Sequence, residues 1–364
     1  MYVVTNRKLN KNKTGLDLFG HEPNESGPNE LRLVKVVKTA SGYSAAPLDD
    51  KLTQTRLKEL IKQFKLPIDP GENRYASLEV ACQLFIEAQR RKKHLLFFVH
   101  GYNNDLEDIM KTAFSLELLY NVMVVPFSWP ANGGGKVSGT ASYLSDKSDA
   151  RVSMDALNRF ISKVEEYHRY LTQIMNAALT EKARAKHPDN HMAQQEHFAK
   201  LLAQTCKISL NLFCHSMGNY LFKYALRPSE GAAANLVFDN IALVAADANS
   251  ENHRDWVERI QVRNRLYIVI NEKDFALQWS RRKPGDEQKA RLGHYLKDLN
   301  ARNAHYIDVT GHPGVGSGHS YFMGEPVNES DKLRKMFAAM FEGGNAEQAM
   351  HYHADRNTYS FSKP

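Results

Sequence analysis

The chain has 364 residues, long for one compact domain but not for an α/β fold that carries an insertion. Hydrophobic residues make up 42% and charged residues 24%, ordinary globular usage, and the formal net charge of +7 is mild for this length. Its basic residues are scattered apart from Arg90–Lys93 and Arg281–Lys283, which read as solvated faces; with no reader motif present, nucleic-acid binding is not expected. Three cysteines (Cys82, Cys206, Cys214) argue against a disulfide scaffold, and their spacing is not that of a metal site, so neither a metal nor a cofactor is expected. The N-terminal stretch lacks the apolar core of a signal peptide and no run reaches membrane-spanning length, so the expectation is a cytoplasmic protein with no membrane span.

In chain order, Tyr2–Thr5 and Leu31–Thr39 read as strands separated by a polar loop rich in Asn, Gly and Pro. Leu52–Phe64 and Ala76–Arg90 carry apolar residues at helical spacing. His94–His100 is a near-continuous apolar run, as expected of a strand buried on both faces. It feeds the polar turn Gly101–Asp105 and a helix with Leu106, Ile109, Met110, Ala113 and Phe114 inward. Val122–Trp129 is the next strand, and the alternation of strand and helix implies a parallel sheet. The interval 130–206 is longer than one crossover needs. It holds the glycine-rich stretch Asn132–Gly139, one long amphipathic helix from Val152 to Ile174, and a polar stretch, Thr180–Gln195, which reads either as a second helical hairpin or as a mobile excursion and is treated as an insertion able to cover a site.

The stretch Lys207–Asn219 runs from a buried strand through Cys214-His215-Ser216-Met217-Gly218 into a helix that Pro228 stops. Strand, tight turn, serine and helix make the layout of a nucleophile elbow. Cys214 stands where the pattern G-x-S-x-G has its first glycine, and its small size makes it tolerable there. Further on, Asn240–Ala246, Arg265–Ile270 and Ala304–Val309 are strands. Trp256, Val257 and Ile260 suggest a short helix, Gln288–Leu299 reads as helical, and Leu333–Phe341 forms a final helical stripe. Residues 1–342 therefore read as a single domain, with a polar, loose tail over 343–364.

In an open parallel sheet, functional groups collect at the carboxyl ends of the strands. Here those ends carry His100–Asn104, Ser216, Asp247, Asp274 and His319. A serine hydroxyl is a poor nucleophile at neutral pH unless a histidine takes its proton, and an acid holds that histidine in the right tautomer. Ser216, Asp274 and His319 are the candidates for these roles, with Asp247 the alternative acid and His312 a second histidine in the right region. An aspartate after a strand is also a common helix cap, so either acid has a purely structural reading. The oxyanion of a tetrahedral intermediate needs backbone N–H donors, expected from Met217 and from Tyr102 in the turn His100-Gly101-Tyr102-Asn103.

VHGYN followed by CHSMGN resembles the α/β-hydrolase superfamily. More narrowly, the chain resembles the bacterial α/β-hydrolase family known as domain of unknown function nine hundred. The resemblance rests also on Thr5-Asn6-Arg7, Ser128-Trp129-Pro130, Tyr143 and Asp146, Asp274-Phe275-Ala276-Leu277, and His319-Ser320-Tyr321. It covers roughly Tyr2 to Phe322, and it implies the hydrolase fold with a triad of Ser216, Asp274 and His319. It implies no substrate. The expected activity is hydrolysis of a small-molecule or lipid acyl ester through an acyl-enzyme. The alternatives are an acyltransferase on the same fold and a non-catalytic binding protein that keeps the scaffold. Tyr102, Trp129, Tyr143, Trp279 and Tyr321 are the aromatic residues near the expected mouth; they would suit an apolar acyl group, while aromatic residues more often belong to the core.

Overall fold

A computed structural model describes residues 1–40, 42–131, 140–205, 207–226, 236–282 and 289–362. The glycine-rich stretch Asn132–Gly139, Cys206, Pro228, Lys283 and Gln288 lie outside the described residues. The chain begins with β1 (Tyr2–Thr5), β2 (Arg7–Leu9), β3 (Phe19–Pro23), β4 (Arg32–Thr39) and β5 (Gly42–Pro47). Helices α1 (Gln54–Phe64) and α2 (Ser77–Arg91) follow, then β6 (His94–Val99), α3 (Leu106–Leu119) and β7 (Val122–Ser128). Three helices come next: α4 (Thr140–Val152), α5 (Met154–Lys186) and α6 (His191–Gln204). The second half contains β8 (Leu210–His215), α7 (Met217–Ala225), β9 (Asn240–Val244), α8 (Arg254–Val257), β10 (Arg265–Ile270) and α9 (Phe275–Ser280). It ends with β11 (Ala304–Asp308), α10 (Glu325–Glu329), α11 (Asp331–Phe341), β12 (His351–His353) and β13 (Thr358–Ser360).

Eleven of these strands form one sheet in the order β12-β13-β11-β10-β9-β8-β6-β7-β1-β4-β5. From β13 across to β1 every pairing is parallel, and antiparallel hairpins extend both edges. The chain winds from β6 out to β7 on one side, then returns to β8 and winds through β9, β10 and β11 on the other. The order therefore reverses between β6 and β8, and in open α/β sheets that is where a crevice opens at the strand ends. The turn after β6 and the turn after β8 sit side by side there.

Contacts divide the chain into two compact units. One comprises residues 1–47, 94–160 and 209–364, and holds the large sheet. Its central strands are buried on both faces, which explains their unbroken apolar runs. On one face Leu96, Phe98, Phe213, Val244, Tyr267 and Val269 pack with Ile109, Met110 and Ala113 of α3 and with Met336, Phe337 and Phe341 of α11. Phe97 points the opposite way, edge-on to Phe160 and Phe238. The second unit comprises residues 48–93 and 161–208. There Leu57, Leu60, Leu78 and Cys82 of α1 and α2 pack with Tyr167 and Leu171 of α5, and the Arg74–Glu166 ion pair at 2.7 Å joins the loop before α2 to α5.

Three expectations are corrected. The polar stretch after β1 is not all loop: β2 and β3 pair antiparallel as a small sheet of their own. Of the two readings of Thr180–Gln195, the helical one describes the stretch, which is almost wholly helical and split between α5 and α6 by a short break. The helix expected over Gln288–Leu299 is only a 3₁₀ turn at Leu292–His294, because Gly293 is pressed against Ala245 and Ala246. A Cβ there would lie 2.1 Å from the Ala246 nitrogen, so this segment follows the sheet rather than its own periodicity. Finally, the segment after Gly343 is not loose. Asn264 Nδ2 donates to the Gly343 carbonyl at 3.1 Å, and β13 pairs parallel with β11 while β12 closes the edge as its antiparallel hairpin partner.

Candidate active site

The site grows out of the turn between β8 and α7. Ser216 has φ 53° and ψ −123°, a strained conformation for a residue with a side chain. Three contacts hold it. The Ser216 N–H donates to the Val244 carbonyl at 3.1 Å, and its carbonyl accepts from Asp247 N–H at 3.1 Å. The Asn219 side-chain amide reaches back under the turn to the carbonyls of Cys214 (3.1 Å), Ser216 (3.0 Å) and Val244 (3.2 Å). Gly218 lies so close to β6 that a Cβ would sit 2.5 Å from the Val99 carbonyl oxygen. Only glycine fits there, whereas Cys214 is fully buried and accommodated, with burial pushing its thiol well above its usual pKa.

The opposite wall is the turn after β6. Gly101 faces the serine: a Cβ added to it would lie 2.8 Å from Ser216 Cβ and 3.3 Å from Oγ. The loop is fixed from behind by groups buried beneath it. His100 is fully buried; its Nδ1–H donates to the Gly101 carbonyl at 2.8 Å, and its Nε2 accepts the Trp129 N–H at 3.1 Å. Trp129 stacks on the imidazole at 5.0 Å and returns a bond from Nε1 to the His100 carbonyl. Burial, reinforced by the nearby Arg7 charge, pushes His100 down to about 3, so the ring is neutral and its tautomer is set by these two partners. Arg7, also fully buried, sends Nε to Ser128 Oγ (2.8 Å), Nη1 to the carbonyls of Gly20 and Ala131, and Nη2 to the Asn104 carbonyl (2.7 Å). Asn103, at φ 56°, gives its N–H to Asp146 Oδ2 at 2.9 Å. The motifs Thr5-Asn6-Arg7, Ser128-Trp129-Pro130 and Asp146 thus converge on one loop.

At the end of β10, Asp274 is completely buried and its two carboxylate oxygens are used separately. Oδ1 accepts the Leu277 N–H at 3.0 Å and caps α9, while Oδ2 accepts from His319 Nδ1 at 2.7 Å. The cap and the histidine-holding acid are therefore one residue. The segment bearing His319 is rich in glycine, yet it is tied down: Asn271 Nδ2 donates to the Gly316 and Gly318 carbonyls, and the Phe275 N–H donates to the Ser317 carbonyl. His215, the residue before the serine, donates Nε2–H to the His319 carbonyl at 3.2 Å, and the two rings lie 4.7 Å apart. The imidazole of residue 319 is in this way lodged beside the elbow. No hydrogen bond joins Ser216 Oγ to it among the described residues; such contacts are commonly long before substrate binds.

Asp247 touches the elbow through its backbone, but its carboxylate is engaged elsewhere. Its Oδ1 accepts from Ser280 Oγ at 2.6 Å and lies 3.0 Å from Arg291 Nε, and its Oδ2 accepts from Tyr143 OH at 2.9 Å. His312 Nε2 is 2.6 Å from Ser330 Oγ. Of the aromatic residues expected at the mouth, Trp129 and Tyr321 are instead core, fully buried, with Tyr321 OH on the Val269 carbonyl. Tyr102 and Tyr143 face each other at 5.6 Å, and Trp279 is 37% exposed. Sequence reasoning gave no role to His215 or Asn219, placed His100 only as part of the turn after a strand, and met Arg7 only as part of a family motif. His100 and His215 carried a signal, since a polar residue inside an apolar strand run needs a partner.

Among the described residues no group of three or more His, Cys, Asp or Glu is arranged to hold a metal ion, and no helix is long and apolar enough to cross a membrane. No curated protein and no solved structure matches the chain. A family model does, over residues 78–178 and 175–326, and it spans the turns after β6 and β8 together with Asp274 and His319. With a parallel sheet flanked by helices and that match across most of its length, the chain belongs to the family described as alpha/beta hydrolase of unknown function (DUF900).

Proposed function

We propose that this protein is a serine hydrolase of carboxylic esters in which Ser216 is the nucleophile, His319 the general base and acid, and Asp274 the residue that orients the histidine. The observation that carries the reading is the 2.7 Å contact between His319 Nδ1 and the buried Asp274, made on a segment that His215 ties to the elbow. With Nδ1–H given to the carboxylate, Nε2 is left as the basic nitrogen. Ser216 Oγ adds to the acyl carbon and passes its proton to His319 Nε2. The carbonyl oxygen becomes an oxyanion, received by the N–H groups of Met217, at the start of α7, and Tyr102. Collapse expels the alcohol, which takes the proton from His319. Water then attacks the acyl-enzyme by the same route, releasing the acid and restoring Ser216. Asp247, engaged by Ser280, Tyr143 and Arg291, acts in this scheme as a brace between β9, α4 and α9.

A fluorophosphonate probe tests the proposal directly. The expected result is covalent labelling at Ser216, abolished in Ser216→Ala, together with turnover of chromogenic acyl esters by the unmodified protein. A folded protein that neither reacts with serine-directed probes nor cleaves esters of any acyl length would overturn it.

A further inference from the structure

His319 is delivered by a segment with few side-chain atoms to pack. Between buried Val315 and His319 the chain reads Gly316-Ser317-Gly318, and Gly316 and Ser317 are exposed. Gly311 and Gly316 have φ of 76° and 48°, and a Cβ at either would meet nothing within 4 Å. These two glycines therefore serve backbone conformation and not close packing, and each adds freedom that must be removed before the imidazole holds one position. With so little side chain to bury, the restraint has to act on the backbone.

Asn271, the first residue after β10 and 0% exposed, supplies it. Its Nδ2 donates to the Gly316 carbonyl at 3.2 Å and to the Gly318 carbonyl at 3.1 Å, and its Oδ1 accepts the Lys273 N–H at 3.1 Å. Its own carbonyl accepts the Asp274 N–H at 3.1 Å, and its N–H donates to the Gly293 carbonyl at 3.0 Å. An amide turned end for end would set its oxygen against two carbonyls and its NH2 against an N–H, so only one orientation satisfies the partners. One buried residue is thus bonded to Asp274 itself and to the residue immediately before His319, two positions that lie 45 residues from each other's partner in the chain.

We propose that Asn271 is a positioning residue for the Asp274–His319 pair: its amide fixes the end of the glycine-rich segment so that His319 Nδ1 meets Asp274 Oδ2. Asn271 touches no reacting atom in this scheme. The consequence for turnover rests on the ester-hydrolase reading, whereas the 2.7 Å contact that Asn271 secures exists in the resting protein whatever the substrate.

The test uses the full chain with two substitutions. Asn271→Ala removes the amide, while Asn271→Asp keeps its shape and the acceptor for the Lys273 N–H but has no NH2 to give; either one decides the matter should the other not fold. On a chromogenic ester, kcat should fall roughly 10²-fold with KM within about twofold of the parent, because the imidazole is displaced by about 1 Å while the groups that bind the acyl ester are untouched. The second readout is proton NMR of the resting protein. A histidine Nδ1 proton bonded to a carboxylate resonates far downfield, and its absence in His319→Gln identifies it. That resonance should broaden or vanish in both Asn271 variants with circular dichroism unchanged. A folded variant that keeps the parent's resonance, or keeps kcat within about twofold of the parent, would overturn the proposal. If the parent itself turned over no ester, the hydrolase reading would fail on its own, and the resonance would still decide whether Asn271 holds the histidine.

Discussion

Asp274→Asn is the substitution that best isolates the electronic part of the proposed machinery from its scaffolding. The side chain keeps its size, and its carbonyl oxygen can still accept the Leu277 N–H now bonded to Oδ1 at 3.0 Å. What changes is the atom facing His319. At the Oδ2 position, 2.7 Å from Nδ1, an NH2 group replaces an acceptor. The imidazole must then place its proton on Nε2, the nitrogen that has to be free to take the serine proton. In the well-studied serine protease triad the equivalent change lowers kcat by about 10⁴, which corresponds to about 5.5 kcal/mol of transition-state stabilisation. The structural cost should be far smaller, because the cap survives. Asp274→Ala provides the contrast: it removes the cap as well, a loss of about 1 kcal/mol. In a chain this long that should lower Tm by only about 1–2 °C beyond the asparagine variant. The assay is kcat on a chromogenic ester, paired with a thermal scan of each variant. The expected pattern is a kcat loss near 10⁴ for Asp274→Asn, with KM little changed and the fold retained. If that variant kept kcat within tenfold of the parent while Asp247→Asn lost it, the assignment of the acid would be wrong, and with it the division of labour between the two aspartates.

Gly101→Ala should lower kcat by at least 10²-fold while leaving the protein folded, since the new methyl would lie 2.8 Å from Ser216 Cβ and force the two turns apart; activity and circular dichroism measure the two halves of this statement. His215→Ala removes the bond to the His319 carbonyl, and a kcat loss of about tenfold is expected with KM little changed, partly restored in His215→Gln, whose amide can donate to the same oxygen; a change in Tm alone would reduce His215 to a packing residue. His100 is neutral when folded but protonates near 6.5 when unfolded, because burial holds it down to about 3. The unfolded chain therefore binds the extra proton between pH 6.5 and 3, and this residue's contribution to stability is fully present above 6.5 and lost as the pH falls, by up to about 1.4 kcal/mol per unit. Denaturant midpoints from pH 7 to 4 should fall less steeply in His100→Asn than in the parent, and equal slopes would refute the assignment. Arg7→Met leaves the carbonyls of Gly20, Ala131 and Asn104 without their donor, and a stability loss of several kcal/mol is expected from denaturant titration, together with loss of turnover.

Much of this protein was legible one residue at a time. The runs His94–His100 and Arg265–Ile270 declared buried parallel strands because strands covered on both faces have no polar positions to alternate. Gly218 two residues after Ser216, and Gly101 after the strand ending at Val99, marked tight turns; what presses on each is the other turn, Val99 on Gly218 and Ser216 on Gly101, which the sequence did not announce. The chain order of Ser216, Asp274 and His319 pointed to groups that lie at the ends of β8 and β10 and in the segment after β11. These are local properties, or follow from the rule that parallel strands place their carboxyl ends together. Where local pattern and tertiary packing competed, packing won. The helical periodicity of Gln288–Leu299 gave way because Gly293 had to lie flat on Ala245 and Ala246. The polar C-terminal stretch became an edge hairpin, β12–β13, because β11 offered unpaired backbone groups. The sequence leaned to Asp274, which follows the strand just before the histidine's and stands in a motif of the family resemblance, but it left Asp247 open as the alternative. Both follow strands, and both could cap. That choice was made by distance in three dimensions, where Asp247 is taken by Tyr143, Ser280 and Arg291 and only Asp274 has an oxygen to offer at 2.7 Å. A hydrogen bond between residues 45 apart depends on how the intervening strands pack, and that is a property of the fold rather than of any stretch of the chain.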